Sequence, residues 1–99
     1  MAVGDTVTAL VSKTNNSVLA IQPAAGVEWL IHTLVSEKGL AMDVYLVDDA
    51  AGTNKKLIDS LVGGSMHGLT FRVTNIGWIE LKNVSGSTQF IGYQGVITK

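Results

Sequence analysis

The sequence contains no cysteine and a single proline, and only 15% of its 99 residues are charged. Without cysteine the chain forms neither a disulfide framework nor a thiolate site, so its stability must come from packing or from association. Ordinary domains carry about 25% charged residues. A small domain has a large surface for its volume and should be more polar than average, yet 46% of these residues are hydrophobic. The simplest physical explanation is that other chains cover part of its surface.

The charge distribution excludes several classes of partner. The formal net charge is −1, and among the basic residues only Lys55 and Lys56 are adjacent. This distribution lacks the clustered positive charge with which proteins bind nucleic acid or an anionic membrane surface. No apolar run reaches the roughly 18 residues of a membrane-spanning helix, and the N-terminal residues lack the pattern of a signal peptide. We therefore expect one domain over residues 1–99, with no nucleic-acid or membrane partner.

Apolar and polar residues alternate along most of the chain, which is the period of β-strands. Val7, Ala9 and Val11, for example, would share one face of a first strand. Turn-forming residues separate such segments at intervals of about 8–12 residues, which is typical of sandwiches and small barrels. The pattern predicts an all-β fold, an antiparallel β-sandwich of seven to eight short strands that is jelly-roll-like.

Three local predictions follow from the turn residues. Residues 14–17, TNNS, predict a hairpin between the first two strands. Residues 37–39, EKG, predict a tight turn with Gly39 in the left-handed conformation. Residues 57–64, LIDSLVGG, fit either a short helix or a strand, because their apolar residues recur at helical spacing.

The residue types that carry most enzyme chemistry are scattered. His32 and His67 fall in different predicted elements, without the neighbouring ligands of a zinc site. Glu28 and Glu80 alternate with apolar neighbours, which is typical of outward-facing charges on a strand. Asp49 and its neighbour lack the regularly spaced oxygen ligands of a calcium loop. We therefore predict no catalytic residues, no metal ligands, no cofactor and no small-molecule substrate.

The two tryptophans predict different environments. Trp29 shares its strand face with apolar residues and is expected in the core, whereas Trp78 alternates with Glu80 and Lys82 and is expected at the surface. Exposed aromatic residues are enriched at protein interfaces. Residues 44–47 are apolar on both faces of their strand, so something other than the core must cover the second face. The candidate interface therefore consists of Trp78, Glu80, Lys82, Tyr45 and Val47.

Four stretches together resemble small virion proteins of tailed bacteriophages. They are QPAAGVEWLIHTL (22–34), VYLVD (44–48), FRVTNIGWIELKNVS (71–85) and IGYQGVITK (91–99). Such proteins decorate the capsid or belong to a related accessory structure. The resemblance implies a non-enzymatic structural protein that self-associates and contacts the major capsid protein, and we expect a trimer first and a dimer second. It also implies a location on the capsid surface of the virion, after synthesis in the host cytoplasm.

Two other classes of function stay open at this point. One is a carbohydrate- or receptor-binding β-module of a tail fibre or spike, in which Trp78 or Tyr93 would stack against a ligand. The other is an enzyme subunit whose sites are shared between chains. The absence of a clustered nucleophile, base or metal set in the sequence disfavours the enzyme.

Overall fold

Seven antiparallel strands form one curled sheet. The computed structural model describes residues 2–66 and 68–99. No helix occurs in those two ranges, so the prediction of an all-β antiparallel fold is confirmed. The strands are β1 (Thr6–Lys13), β2 (Val18–Ile21), β3 (Trp29–Val47), β4 (Lys55–Met66), β5 (Phe71–Val73), β6 (Trp78–Asn83) and β7 (Gln89–Ile97).

The sheet is organised on β3, which has 19 residues and pairs with four other strands. The strand order is β1-β7-β3-β6-β2, and β4 and β5 also pair with β3. Along one edge of β3, β7 lies beside residues 29–36 and β6 beside residues 42–47, while β4 lies along the opposite edge. β3 therefore carries one half of the sheet near its start and the other half near its end.

The core lies on one face of these strands, which we call the inner face. Its buried side chains come from both halves of the sheet, so folding of either half depends on the other. The largest of them are Ile21, Ile31, Leu34, Met42, Ile79, Leu81 and Ile91. We call the opposite face the outer face.

The predicted turn at residues 37–39 is a bulge inside β3. Gly39 has a φ of 83°, so its predicted left-handed conformation is confirmed. The predicted reversal of the chain is wrong, because β3 continues through these residues. Residues 37–40 of β3 lie opposite a single residue of β4. A bulge bends a strand without reversing it, and this bend lies where β3 changes its partner from β7 to β6.

The predicted hairpin between β1 and β2 is also wrong. β1 pairs with β7 and β2 pairs with β6, so residues 14–17 carry the chain from one half of the sheet to the other. The predicted turn chemistry is confirmed, since Asn16 has a φ of 68°. Its partner is distant in sequence: the Asn16 amide donates to the Asn83 carbonyl at 2.7 Å. Local turn signals do not show which strands the turn connects.

Residues 57–64, which fit a helix or a strand, lie in β4. The residues at apparent helical spacing project from both faces of this strand. Leu57, Ile58 and Val62 are exposed, and Leu61 is half-buried. The open edge of β3 offers backbone hydrogen-bond partners to an extended segment at this position. A helix this short would be only marginally stable by itself. His67 lies outside the described residues.

Two buried side-chain amides fill the gap between β7 and β6 along β3. Gln89 and Asn83 are both fully buried. Gln89 Nε2 donates to Asn83 Oδ1 at 2.9 Å and to the Ala41 carbonyl at 2.8 Å. Gln89 Oε1 accepts a hydrogen bond from the Glu37 amide at 3.1 Å. The glutamine therefore bonds to both ends of the β3 bulge, where the backbone ladder is interrupted.

Asn83 extends this network to β1 and to the last turn. Its Nδ2 donates to the carbonyls of Lys13 and Ser87 at 2.8 and 2.7 Å. Its Oδ1 accepts from the Ser85 amide and hydroxyl as well as from Gln89. Buried polar groups are costly unless they are hydrogen-bonded, and every polar atom of both amides has a partner. The Asn83–Gln89 network thus ties together the points at which three strands change direction or end.

Replacing Asn83 should therefore destabilise the fold strongly. In Asn83→Ala the Lys13 carbonyl loses its side-chain donor and Gln89 Nε2 loses one of its two buried acceptors, and a buried group left unpaired costs about 1–3 kcal/mol. We expect a loss of at least about 3 kcal/mol in the free energy of unfolding, measured by chemical denaturation. The matched control is Asn15→Ala, whose Oδ1 accepts only an exposed hydrogen bond from Gly86. Equal losses in the two variants would contradict the role of the network.

Two glycines allow β7 to pass closely between its neighbours. A Cβ atom at residue 92 would overlap the Ala9 carbonyl oxygen of β1, and one at residue 95 would overlap the Leu30 carbonyl oxygen of β3. Both collisions involve backbone, which cannot move aside without shifting a strand. β7 therefore requires glycine at both positions.

Gly92→Ala should lower the free energy of unfolding by about 1–3 kcal/mol or more, as overpacking does. Gly77→Ala is the control, because the nearest atom to an added Cβ there is Thr74 Oγ1 at 3.8 Å. Thermal unfolding of the two variants measures the difference. If Gly92→Ala melts like Gly77→Ala, the close approach of β7 to β1 is not a constraint.

Candidate functional site

The structure brings the five residues of the candidate interface onto the outer face. In the register of β3 and β6, Val47 pairs with Trp78 and Tyr45 pairs with Glu80. Lys82 lies two residues from Glu80 along β6 and therefore on the same face. Directly opposite residues in an antiparallel pair project from the same face. The five side chains thus form two neighbouring rows, but they differ widely in exposure.

The predicted exposure of Trp78 is wrong. Its ring does leave the inner face, but the loop of residues 48–54 folds over it and leaves only 5% exposed. Trp78 Nε1 donates to the Asp49 carbonyl at 2.8 Å. Gly52 lies against the ring, since a Cβ atom there would be 3.3 Å from Trp78 Cζ2. Val47, opposite Trp78, is also buried. Alternation assigns a side chain to a face but does not show which loop covers that face.

Glu80 is buried as well, although its pattern predicts an outward-facing charge. Only 6% of the residue is exposed, and its Oε1 accepts a hydrogen bond from Lys55 Nζ at 2.9 Å. The same ammonium group lies 5.7 Å from the centre of the Tyr45 ring, within the range of a cation–π contact. A buried carboxylate needs such a partner. Glu80 and Lys55 therefore form one ion pair, which holds the start of β4 against the outer face.

Of the five predicted residues, Tyr45 and Lys82 keep a substantial part of their surface in contact with solvent. Trp78, Val47 and Glu80 do not. A partner that docks on this face would meet Tyr45, Lys82 and the exposed side chain of Leu57, which pairs with Tyr45. The outer face of β6 is consequently a smaller candidate interface than the sequence predicts.

The loop that covers Trp78 is held by the carboxylate of Asp49. Asp49 accepts hydrogen bonds from the Thr53 amide at 2.9 Å, from the Thr53 hydroxyl and from the Asn54 amide at 3.3 Å. The hydrogen bond from the Thr53 hydroxyl, followed by those of the backbone amides, lowers the pKa of Asp49 below its usual range. Gln22 Nε2 donates to the Ala50 carbonyl at 2.9 Å and ties the loop to the end of β2. Of the acidic pair at 48–49, Asp49 thus shapes the loop with its side chain.

Protonation of Asp49 should release the loop from Trp78. Because the folded-state pKa is lowered, the contribution of the carboxylate is complete above the unfolded value of about 3.9 and is lost as the pH falls through the folded value. In a Trp29→Phe background Trp78 is the sole tryptophan, so excitation at long wavelength reports on it alone. We expect Asp49→Ala to shift its emission to longer wavelength at neutral pH, and the parent to show the same shift only below about pH 4.

Asp48→Ala is the control for this experiment, because Asp48 is the exposed neighbour of Asp49 in the same loop. Its emission should match that of the parent at neutral pH. An unshifted spectrum for Asp49→Ala would show that the loop stays closed without the carboxylate.

Glu28, Trp29 and His32 do not combine into one site. Glu28 Oε1 lies 3.3 Å from Arg72 Nη1, and His32 Nδ1 shares a hydrogen bond with the Thr33 hydroxyl at 2.8 Å. Trp29 stacks on Tyr93 with ring centres 6.3 Å apart. Within the described ranges, no group of three or more metal-ligating side chains is present.

Trp29 is the tryptophan that reaches the surface. It packs against the core but is only partly buried, and it lines an open hollow at the end of the sheet together with Val3, Val27 and Ile97. The prediction that Trp29 contacts the core is confirmed, but its ring also keeps part of its surface exposed. A bulge in the pairing of β3 with β7 lies between Ile31 and Thr33, so Val35, which a strict period of two places on the face of Trp29, projects from the outer face.

Exposed apolar side chains mark two other surfaces. The first is on β1, β7 and β3, where Leu10 and Val35 both pair with Gly92 and Phe90 lies on the same face of β7. Leu10 is 61% exposed and Phe90 is also exposed. We call Leu10, Val35 and Phe90 the β7 patch. Gly92 lies between Leu10 and Val35 in the sheet and places no side chain between them.

The second surface is β4. Val62 is 71% exposed, and Leu57 and Ile58 are exposed with it. Large apolar side chains exposed together on strands are typical of surfaces that a partner covers. The excess of apolar residues in the sequence predicts that such a surface exists. It does not show which apolar residues are exposed.

Comparison with known proteins identifies a similar fold and no family. No protein-family model and no curated protein matches the chain. Among solved structures, it is similar to the Drosophila NLP-core, whose crystal structure is described in terms of pentamer formation and histone binding. The TM-score is 0.53, with 14% identity over 93% of this chain and 98% of that chain. At this identity the likeness concerns the fold alone. In the ranges that the structure describes, no helix has the length and apolar character needed to cross a bilayer.

Proposed function

We propose that this chain is a non-enzymatic structural protein of a tailed-bacteriophage particle. It decorates the capsid surface, associates with further copies of itself and contacts the major capsid protein. The observation that carries the proposal is the exposure of large apolar side chains on strands, above all Leu10 and Phe90 of the β7 patch and Val62 of β4. The resemblance of four sequence stretches to phage virion proteins supplies the biological setting.

The composition of the β7 patch supports a docking role. Its apolar residues are flanked on the same face by exposed hydroxyl and amide side chains, those of Thr8, Ser12 and Gln94. Such side chains form hydrogen bonds across an interface without the large desolvation cost of charges. An apolar centre with a polar rim is the usual anatomy of a protein interface.

The use of the acidic residues supports a non-enzymatic role. Glu80 pairs with Lys55, Glu28 lies beside Arg72, and Asp49 organises its own loop. Each of these carboxylates is therefore occupied by a contact that stabilises the fold. A general acid or base would instead need a carboxyl group that is free to exchange a proton with a substrate.

We further infer that the curled sheet is a sandwich with jelly-roll-like connections. The half formed by β1 and β7 and the half formed by β6 and β2 bury side chains of one core cluster, including Ile91 and Leu81. The smallest dimension of the molecule is 20 Å, which suits two layers about 10 Å apart with their outward side chains. The turn at 14–17, which passes from one half to the other, is the kind of connection that such a fold requires.

Capsid binding tests the proposal directly. Purified protein is added to capsids of the parent phage that were assembled without it, and bound protein is measured by co-sedimentation. We expect saturable binding, with Phe90→Lys weakening it at least about tenfold, because a charge would be buried in the apolar centre of the contact. Thr88→Lys adds the same charge at a nearby exposed position outside the strand and should bind like the parent.

Absence of saturable binding, or equal binding by the two variants, would contradict the decoration role. Binding to a glycan without binding to capsid would favour the carbohydrate module instead. Since Trp78 is buried, such a ligand would use Tyr93, which is partly exposed, together with Trp29, which stacks on Tyr93 and lines the hollow at the end of the sheet.

A further inference from the structure

We propose that the free edge of β4 pairs with β4 of a second copy of this chain, antiparallel and about a two-fold axis. The inference rests on the proposed self-association and identifies one surface that performs it. Its partner is therefore a sister subunit, and the contact is the addition of one strand to another across a sheet edge.

The edge is long and open. β4 has 12 residues, and within the described ranges it pairs only with β3. Its outer edge therefore presents a row of backbone donors and acceptors without strand partners, which is a template for pairing with another chain. Residues 55–60 are all exposed. An edge strand that is exposed on both faces buries more surface against a neighbouring strand than an edge strand that already packs on its own core.

The apolar side chains of β4 point to a protein partner. Leu57, Ile58 and Val62 are exposed along the strand. Natural edge strands that must stay unpaired are usually short, and their apolar residues face the core. This strand is long, and three of its large apolar side chains face solvent in the isolated chain.

An irregularity in β4 places two opposite charges on the same face. Asp59 pairs with Val44, whereas Leu57 pairs with Tyr45, so Ile58 is an extra residue in β4. Lys56 pairs with Leu46, which lies on the same face of β3 as Val44. Residues three apart on a regular strand point to opposite faces. Because of the extra residue, the side chains of Lys56 and Asp59 project from the same face of the sheet.

This placement makes the edge complementary to itself. In an antiparallel pair centred between Leu57 and Ile58, Lys56 lies opposite Asp59 of the partner subunit, and the two-fold axis repeats the pair. Leu57 then lies opposite Ile58 of the partner subunit. Cross-strand pairs of opposite charge and apolar pairs are both favourable. Parallel pairing in register would place each lysine beside its own copy, which is unfavourable.

The adjacent lysines have a second consequence for specificity. Lysine on a sheet edge normally opposes pairing, because a partner strand would bury the charge unpaired. Here the proposed register supplies a carboxylate for each Lys56, while Lys55 is already paired with Glu80 within the chain. The same residues therefore admit a second copy in this register and disfavour other strands.

A charge-swap cycle tests the register. Lys56→Asp and Asp59→Lys each place like charges opposite one another, and the double variant restores opposite charges in reversed order. Sedimentation velocity over a micromolar concentration series measures the dissociation constant for self-association. We expect each single variant to raise that constant at least about tenfold and the double variant to return it to within about threefold of the parent.

Lys38→Asp is the matched control, because it makes the same charge change at an exposed position in the β3 bulge. It should leave the dissociation constant unchanged. Far-ultraviolet circular dichroism should show the same β-sheet signal for all variants, since the altered side chains are exposed.

Two results would overturn the inference. One is a parent protein that remains a monomer throughout the series, in which case the lysines protect an unpaired edge. The other is self-association that the single variants do not weaken or that the double variant does not restore, in which case another surface is responsible. A monomeric parent would also remove the proposed self-association, whereas the capsid-decorating role is decided separately by capsid binding.

Discussion

β3 serves both halves of the sheet only because two buried side-chain amides complete its hydrogen bonding at the bend. A strand that changes partners along one edge leaves backbone groups unpaired between them, and buried unpaired groups are costly. Gln89 bonds to both sides of the bulge, and Asn83 joins the same point to the end of β1. The position of the bend, the crossing at residues 14–17 and the shared core all depend on this contact.

The sequence predicts the strands better than it predicts their partners. Alternation of apolar residues identifies the strands because burial on one face requires a period of two. Asn16 and Gly39 are recognised as left-handed positions because their conformation is a local property. The pairing of β1 with β7 is not recognisable in this way, since it depends on residues about 80 positions apart in sequence. Bulges such as the one at residues 37–40 also have no reliable local signal.

The candidate site illustrates the same limit for function. The face of Trp78 follows from alternation, whereas its burial depends on a loop anchored by Asp49. Glu80 looks like a surface charge in sequence, because its partner Lys55 lies on another strand and covers it only in the folded chain. Only the folded structure identifies the β7 patch and β4 as exposed surfaces, because it shows which apolar residues are covered. Excess apolar composition predicts that such surfaces exist but not where they are.

The glycine at the centre of the β7 patch has a consequence for how related chains would diverge. Gly92 lies between Leu10 and Val35, and a side chain there would collide with the backbone of β1. Folding therefore fixes Gly92, whereas the exposed residues beside it, Leu10 and Phe90, contribute little to the core. Selection can alter these exposed side chains to fit a new partner without altering the sheet beneath them. Recognition and folding are thus assigned to different residues within one patch, so binding preference can change faster than the fold.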